Sequence, residues 1–364
     1  MPNRRTVLKV LGGGFILAAG SAGAFLGTRT PTKALQPWTK AGDYTDPRMR
    51  ALSYAILAPN PHNRQPWIVD LATDGQVTVW RDKDKYLPET DPFDRQLTIG
   101  MGCFLEQMAI AASQTNNKLE FDLFPQGEDG PVATVRFLEG GMPDPLAEHI
   151  MQRRSCKEPF EDRVPQANPQ LAALADLIMD KARVSELRAS TWDAGMIEAT
   201  TYRTMKESTD LFRLGKAEVE ANPDGIDFSG PFFESLILAG LMTREGSLDP
   251  NSMEFAEGAK IYNEMLNATP AYAVIKTPAN DRLAQIEAGR RWLRLNLTTT
   301  SLGLSLHPVS QALQEYPEMA DNYAKLHKLL AKSGETVQML GRLGYGPSVP
   351  QSPRWPLEAK LMNG

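Results

Sequence analysis

The chain has 364 residues, 42% of them hydrophobic, with 44 acidic against 39 basic side chains and a formal charge of −5. That length carries one large domain or two modest ones, and the acidic balance excludes the concentrated basic face that nucleic-acid binding needs to displace counterions. Two cysteines, Cys103 and Cys156, are too few for a disulfide framework, and four histidines with no i, i+4 pair give no metal-ligand spacing.

Asn3-Arg-Arg-Thr-Val-Leu-Lys9 precedes an apolar, Gly/Ala-rich run from Val10 to Gly20 and then Ser21-Ala-Gly-Ala24. Residues 1–24 read as a twin-arginine export signal: a basic start, an apolar stretch shorter than the ~20 residues of a spanning helix, and small residues for cleavage. Cleavage near Ala24 and retention as an anchor both stay open. The twin-arginine translocase carries proteins already folded, so the signal predicts a periplasmic or exported protein loaded with any cofactor beforehand. Residues 25–46, rich in Pro, Thr and Lys, are expected to form a tether or an arm laid over the surface.

A helical run from Met49 stops at Ala58-Pro-Asn-Pro-His-Asn-Arg-Gln-Pro-Trp67, where prolines push the preceding residues toward extended backbone. Asn63 and Gln65 carry planar carboxamides that suit the donor and acceptor edge of an isoalloxazine; an ordinary Asn/Pro-rich turn is the alternative. Strands are predicted at Trp67–Leu71 and Gln76–Arg81, joined through Asp74-Gly75, and at Leu119–Leu123 and Val132–Leu138. Thr98 to Ser113, small and apolar on nearly every face, predicts a buried central helix. A linker, Gly140 to Pro145, leads to a second helix running into Met151–Lys157. Further helices are expected at Asn168–Met179, Asp193–Phe212 and Arg282–Ser305, with a last strand at Val337–Leu343. Between them, 222–253 is rich in Phe, Met and Gly, and its run Phe232–Met242 reads as a lid or interface helix, or equally as a core helix.

Four elements in this order, Ala58–Trp67, Arg153-Arg-Ser-Cys-Lys157, Gly303-Leu-Ser-Leu-His-Pro308 and Arg342-Leu-Gly-Tyr with Ser-Pro-Arg354, resemble the motifs of the FMN-dependent nitroreductase superfamily, its Acg-like branch above all. The resemblance implies an α+β, nitroreductase-like fold made of two fused, pseudo-symmetric halves, 47–145 and 146–364, each with a mainly antiparallel sheet flanked by helices. In ordinary nitroreductases the Arg-rich element comes first and two subunits share each flavin. Here the loop precedes Arg153, which implies a monomeric pseudo-dimer with one composite site.

The same resemblance assigns FMN contacts to Pro59, Asn60, Asn63, Gln65, Arg153, Ser155, Lys157, Gly303, Leu304 and Arg354. Asn63 would lie near flavin N5 and O4, with no separate catalytic residue, while Arg153, Ser155, Lys157 and Arg354 would meet the phosphate or the N1/O2 edge. Gln65 is expected to hold the loop together, and Cys156 to pack. Lys157 stands where the branch usually has Arg, Ser310 where many nitroreductases carry an acid, and Trp355 where a second arginine is usual. The function implied is two-electron reduction of a small electrophile, nitroaromatic or quinone, from NAD(P)H or another donor. A non-catalytic protein that sequesters FMN beneath a lid is the competing reading.

Overall fold

The computed structural model describes residues 28–362. The predicted export signal lies outside the described residues. Ten strands are named among those residues: β1 Trp67–Asp70, β2 Gln76–Arg81, β3 Asn117–Leu123, β4 Ala133–Glu139, β5 Asp176–Ile178, β6 Phe212–Leu214, β7 Ile226–Phe228, β8 Ala271–Thr277, β9 Ser305–Pro308 and β10 Thr336–Gly344. The principal helices are α1 Pro47–Ala55, α2 Arg95–Ser113, α3 Lys181–Thr200, α4 Tyr202–Asp210, α5 Pro231–Leu238, α6 Met253–Asn267, α7 Arg282–Ser301 and α8 Ala320–Leu330.

Two four-stranded sheets repeat one topology. The first runs β1-β2-β4-β3 and the second β5-β8-β10-β9, with every neighbouring pair antiparallel. In each, a long helix, α2 or α7, follows the second strand, the third strand forms an edge, and the fourth returns to the interior. The fold is therefore α+β and consists of two pseudo-symmetric halves within one chain. A pair β6–β7, parallel, stands apart from both sheets.

The halves meet where α2 crosses α7. A Cβ on Gly102 would drive into the Ile286 carbonyl, and one on Gly289 into the Ile99 carbonyl. Each helix thus offers an Ile-x-x-Gly step, 99–102 and 286–289, to the other, the reciprocal contact of an isologous interface. A side chain at either glycine would separate the backbones and forfeit the dispersion contacts around them. One turn further, Glu106, buried on α2, accepts from Arg290 Nε at 2.6 Å and also pairs with Arg294 on α7.

Chain-order expectations depart from this arrangement in the second half. The helix expected at Asn168–Met179 is one turn, Pro169–Ala172, followed by β5, and the long helix placed at Asp193–Phe212 is α3 and α4, broken at Thr201. β8, a central strand, was not expected at all. It is buried on both faces, so it lacks the polar alternation that marks a half-buried strand. The helix expected before Lys157 is a short turn, Pro145–His149, after which the chain extends and Cys156 N–H donates to the Leu306 carbonyl on β9 at 3.2 Å.

Candidate functional site

The site is built around the C-terminal end of α1. Asp46 caps its start by accepting from Arg48 N–H at 2.8 Å, and the chain leaves the helix through Ile56, Leu57 and Ala58, whose carbonyls have no helical partner to receive. Arg354 supplies donors to all three: Nε to Ile56 O at 2.9 Å, Nη2 to Leu57 O at 3.0 Å and to Ala58 O at 3.2 Å. Arg153 Nη2 reaches the same Leu57 carbonyl at 2.9 Å. Cations at the negative end of a helix gain from its dipole, so part of what holds both arginines is the helix itself.

The loop after Ala58 closes over this end in a conformation that side chains rarely adopt. His62, Asn63 and Gln65 have φ of 46°, 52° and 51°. Non-glycine residues in the left-handed region persist only where the surroundings over-determine them, and here hydrogen bonds do so. Asn60 Oδ1 accepts from Gln65 N–H at 2.7 Å, Gln65 Nε2 donates to Pro223 O at 2.7 Å, and Gln65 Oε1 accepts from Trp355 N–H at 2.9 Å. Lys360 Nζ donates to the Gln65 carbonyl at 2.8 Å, and Gly225 N–H to the Asn63 carbonyl at 3.3 Å. Beneath it, Gly100 of α2 leaves room for Asn60 and Pro61; an added Cβ would lie 3.1 Å from both.

These contacts redirect Asn63. Its carboxamide, expected at a flavin edge, accepts from Arg354 Nη1 at 2.6 Å and donates to Pro353 O at 3.1 Å and Pro223 O at 3.3 Å. Arg354 is redirected too, because its fork is spent on protein acceptors, including Ser352 Oγ and Pro353 O. It offers charge to an anion, with few free donors. Free donors lie on the other two arginines: Arg153 Nε and Arg154 Nε are buried without a hydrogen-bond partner.

None of these three guanidiniums pairs with a carboxylate among the described residues; their partners are backbone carbonyls, Asn63 and Ser352. Burial is the main force drawing down the pKa of Arg153 and Arg354, and like charge from neighbouring arginines adds to it. Arginine stays protonated regardless, so the result is concentrated, uncompensated positive charge.

Lys157 lies further along the same extended segment. It is exposed at its surface, while desolvation by the surrounding protein holds its ammonium below the usual range. Burial first, and Lys157 next, depress His62, to about 4. On β9, His307 is held well below its ordinary value by burial, Arg342 and Lys157. Arg342, its cross-strand partner, places Nη1 3.2 Å from His307 Nδ1. A guanidinium only donates, so Nδ1 accepts and the neutral ring carries its proton on Nε2. Asp227 on β7 is the carboxylate that interacts with Lys157, and burial raises its pKa.

The loop, Arg153 and Arg354 are therefore brought together, with Ser155, half-buried, and Lys157 next along the chain. For Gly303 and Leu304 the structure shows helix-ending and packing contacts. Gly303, at φ 67°, is the left-handed residue after α7, Leu304 N–H returns to Thr299 O at 2.8 Å, and the Leu304 side chain is buried in the core. Cys156 is buried and free, its thiol pKa raised mainly by burial. Sequence reasoning assigned no role to Arg342, although a charged residue inside the apolar run Val337–Leu343 was a visible signal. It also left Trp38 unremarked.

A second cluster locks the loop from outside. Asp224, 2% exposed, binds Arg64 Nη1 at 2.9 Å, Lys85 Nζ at 2.7 Å and Arg213 Nη2 at 3.3 Å. A cavity of about 650 Å³ opens along β5, lined by residues such as Leu177, Ile178 and Arg183, and shares no residue with the loop.

No protein-family model matches the chain. It is similar to a Mycobacterium tuberculosis protein named "Putative NAD(P)H nitroreductase Rv3131", 24% identical over 83% of this chain and 87% of that one. It is also similar to the M. tuberculosis protein named "Putative NAD(P)H nitroreductase acg", 29% identical over 32% of this chain and 37% of that one. Among solved structures, the FMN-dependent nitroreductase NfnB of Mycobacterium smegmatis, crystallised with NADPH, matches at a TM-score of 0.37 and 17% identity, over 59% of this chain and 96% of that one.

Proposed function

We propose that the chain is an exported FMN-binding oxidoreductase of the nitroreductase type, which reduces a small electrophile of the nitroaromatic or quinone class by two electrons. The observation that carries this reading is the cluster of Arg153 and Arg354, both buried, and Arg154, half-buried, with no carboxylate partner among the described residues and with the Nε of Arg153 and of Arg154 buried and unpartnered. Buried charge is costly unless an opposite charge meets it, and a phosphate monoester brings both the charge and several acceptor oxygens.

In this reading Arg153 and Arg154 donate to the FMN phosphate, Arg354 adds its charge and fixes the loop, and Lys157 faces the N1/O2 edge. FMN, when bound, supplies hydride transfer at its ring. The protein contributes binding, a closed loop and, beside Arg342 on β10, a buried His307 held neutral with Nε2–H. The names of the M. tuberculosis relatives support the reductase class and NAD(P)H as donor. The N-terminal pattern of paired arginines and an apolar run supports export through the twin-arginine route.

One observation favours the sequestering alternative: segment 222–229 is bonded to the loop through Pro223 and Gly225, and its Asp227 interacts with Lys157. The two readings separate when purified flavin-loaded protein is mixed with NADH or NADPH and the flavin band is followed. Bleaching within seconds, reversed by nitrofurazone, is expected; an inert spectrum with FMN retained favours storage. Arg153→Ala combined with Arg354→Ala should empty the site, and unchanged FMN in denatured extract would refute the phosphate assignment.

A further inference from the structure

The N-terminal arm enters the arginine cluster. Trp38, 2% exposed within a Pro/Lys-rich segment, donates Nε1–H to the Ser352 carbonyl at 2.8 Å. Its ring lies 4.9 Å from the Arg154 guanidinium carbon and 5.8 Å from that of Arg354. Arg354 N–H donates to the Ala34 carbonyl at 2.9 Å, so the arm and the C-terminal tail are joined across the same spot. A cavity of about 310 Å³ lies against Arg354, lined by Lys33, Gln36, Ser53, Ile56 and Trp355 among others.

An aromatic face attracts a cation through its quadrupole, more strongly when both are desolvated. Arg154 has few other anchors: Nη1 donates to Met151 O at 2.9 Å and Arg153 O at 2.7 Å, and the buried Nε has none. Without the indole, the partners of Arg154 among the described residues would be the two carbonyls at Nη1, set against repulsion from Arg153 and Arg354, and a long side chain would turn outward to water. We propose that Trp38 is a positioning residue for the anion site: it holds Arg154 beside Arg153, with Nε aimed inward, and so sets preference for a flavin that bears a phosphate over one that does not. The arm is thereby part of the ligand site and not a passive tether. This rests on the FMN reading given above.

The test compares FMN with riboflavin on full-length protein stripped of flavin, by quenching of flavin fluorescence. The two ligands share the ring and the ribityl chain, so their affinity ratio isolates the phosphate grip. In the unaltered chain FMN should bind at least about tenfold more tightly. Trp38→Leu, which stays apolar but lacks a π face, should cut that ratio by about tenfold while leaving riboflavin affinity unchanged. Trp38→Phe should stay within about threefold of the original ratio. A merely structural role would lower both affinities together.

Should Trp38→Leu fail to fold, as circular dichroism would reveal, Trp38→Met, apolar and likewise without a π face, takes its place. Either variant keeping the original ratio, or losing riboflavin affinity in step with FMN, overturns the role of Trp38. An unaltered chain that binds neither flavin, or both equally, overturns the FMN reading itself.

Discussion

Asn63 and Gln65 show how one residue type supports two readings until its neighbours are known. A carboxamide can face a ligand edge or brace a loop, and here every polar atom of Gln65 and Asn63 meets protein, because the left-handed backbone at His62, Asn63 and Gln65 requires such bracing. Asp224 acts at the same scale, as one buried carboxylate among Arg64, Lys85 and Arg213. Asp224→Asn would leave these cations facing one another in a partly desolvated site. Removing one partner of a buried pair is far costlier than replacing both, so a loss of about 3 kcal/mol is expected in urea unfolding. Limited proteolysis should also cut faster within 59–66 or 222–230, since Pro223 and Gly225 hold the loop. The motifs at Arg153 and Arg354 were legible in the sequence, whereas the spending of the Arg354 donors on helix-end carbonyls was not.

Among the elements, α2 and α7 determine how the halves join. Gly102 and Gly289 allow backbone to approach backbone, and the first atom of any side chain would meet a carbonyl of the opposite helix. Gly102→Ala or Gly289→Ala should each cost about 3 kcal/mol, read as a lower midpoint in thermal unfolding, because helix propensity gained from alanine, about 1 kcal/mol, is smaller than the cost of forcing apart a packed crossing. A control at Gly258 on α6, where an added Cβ meets nothing, should be neutral or stabilising. The sequence made α2 legible because it is small and apolar all round, and made β1 and β2 legible through their alternation and the Asp74-Gly75 turn. β8 and β5 were not legible. One is apolar on both faces and the other is three residues long, so neither carries a period to read.

Across the whole molecule, stability should depend on pH through carboxyls buried without a cation. Glu198, near the end of α3, accepts from Ser208 Oγ of α4 and from Gln314 Nε2, both at 3.2 Å, and burial raises its pKa from 4.5 to about 7. A carboxyl whose folded value lies above its unfolded value binds more protons when folded. The protein therefore gains stability as pH falls from about 7 toward 4.5 and loses it as pH rises through the same window. Glu198→Gln should raise the melting temperature at pH 8 and flatten its slope between pH 5 and 8, measured by scanning calorimetry. The flattening should be partial, because Asp91, likewise raised by burial to about 6, titrates in the same direction.

From the sequence alone came the order of the motifs and, through their resemblance to a known family, the class of fold and the duplication; α2, β1 and β2 were legible as local pattern, in hydrophobic period and turn residues. Tertiary structure alone decided which arginine keeps a free donor, that Trp38 lies among them, and that Gly303 is the left-handed residue that ends a helix. Those outcomes depend on which buried groups satisfy one another across more than 300 residues of chain, as Trp38 and Ser352 do, and no local pattern records a partner so far away.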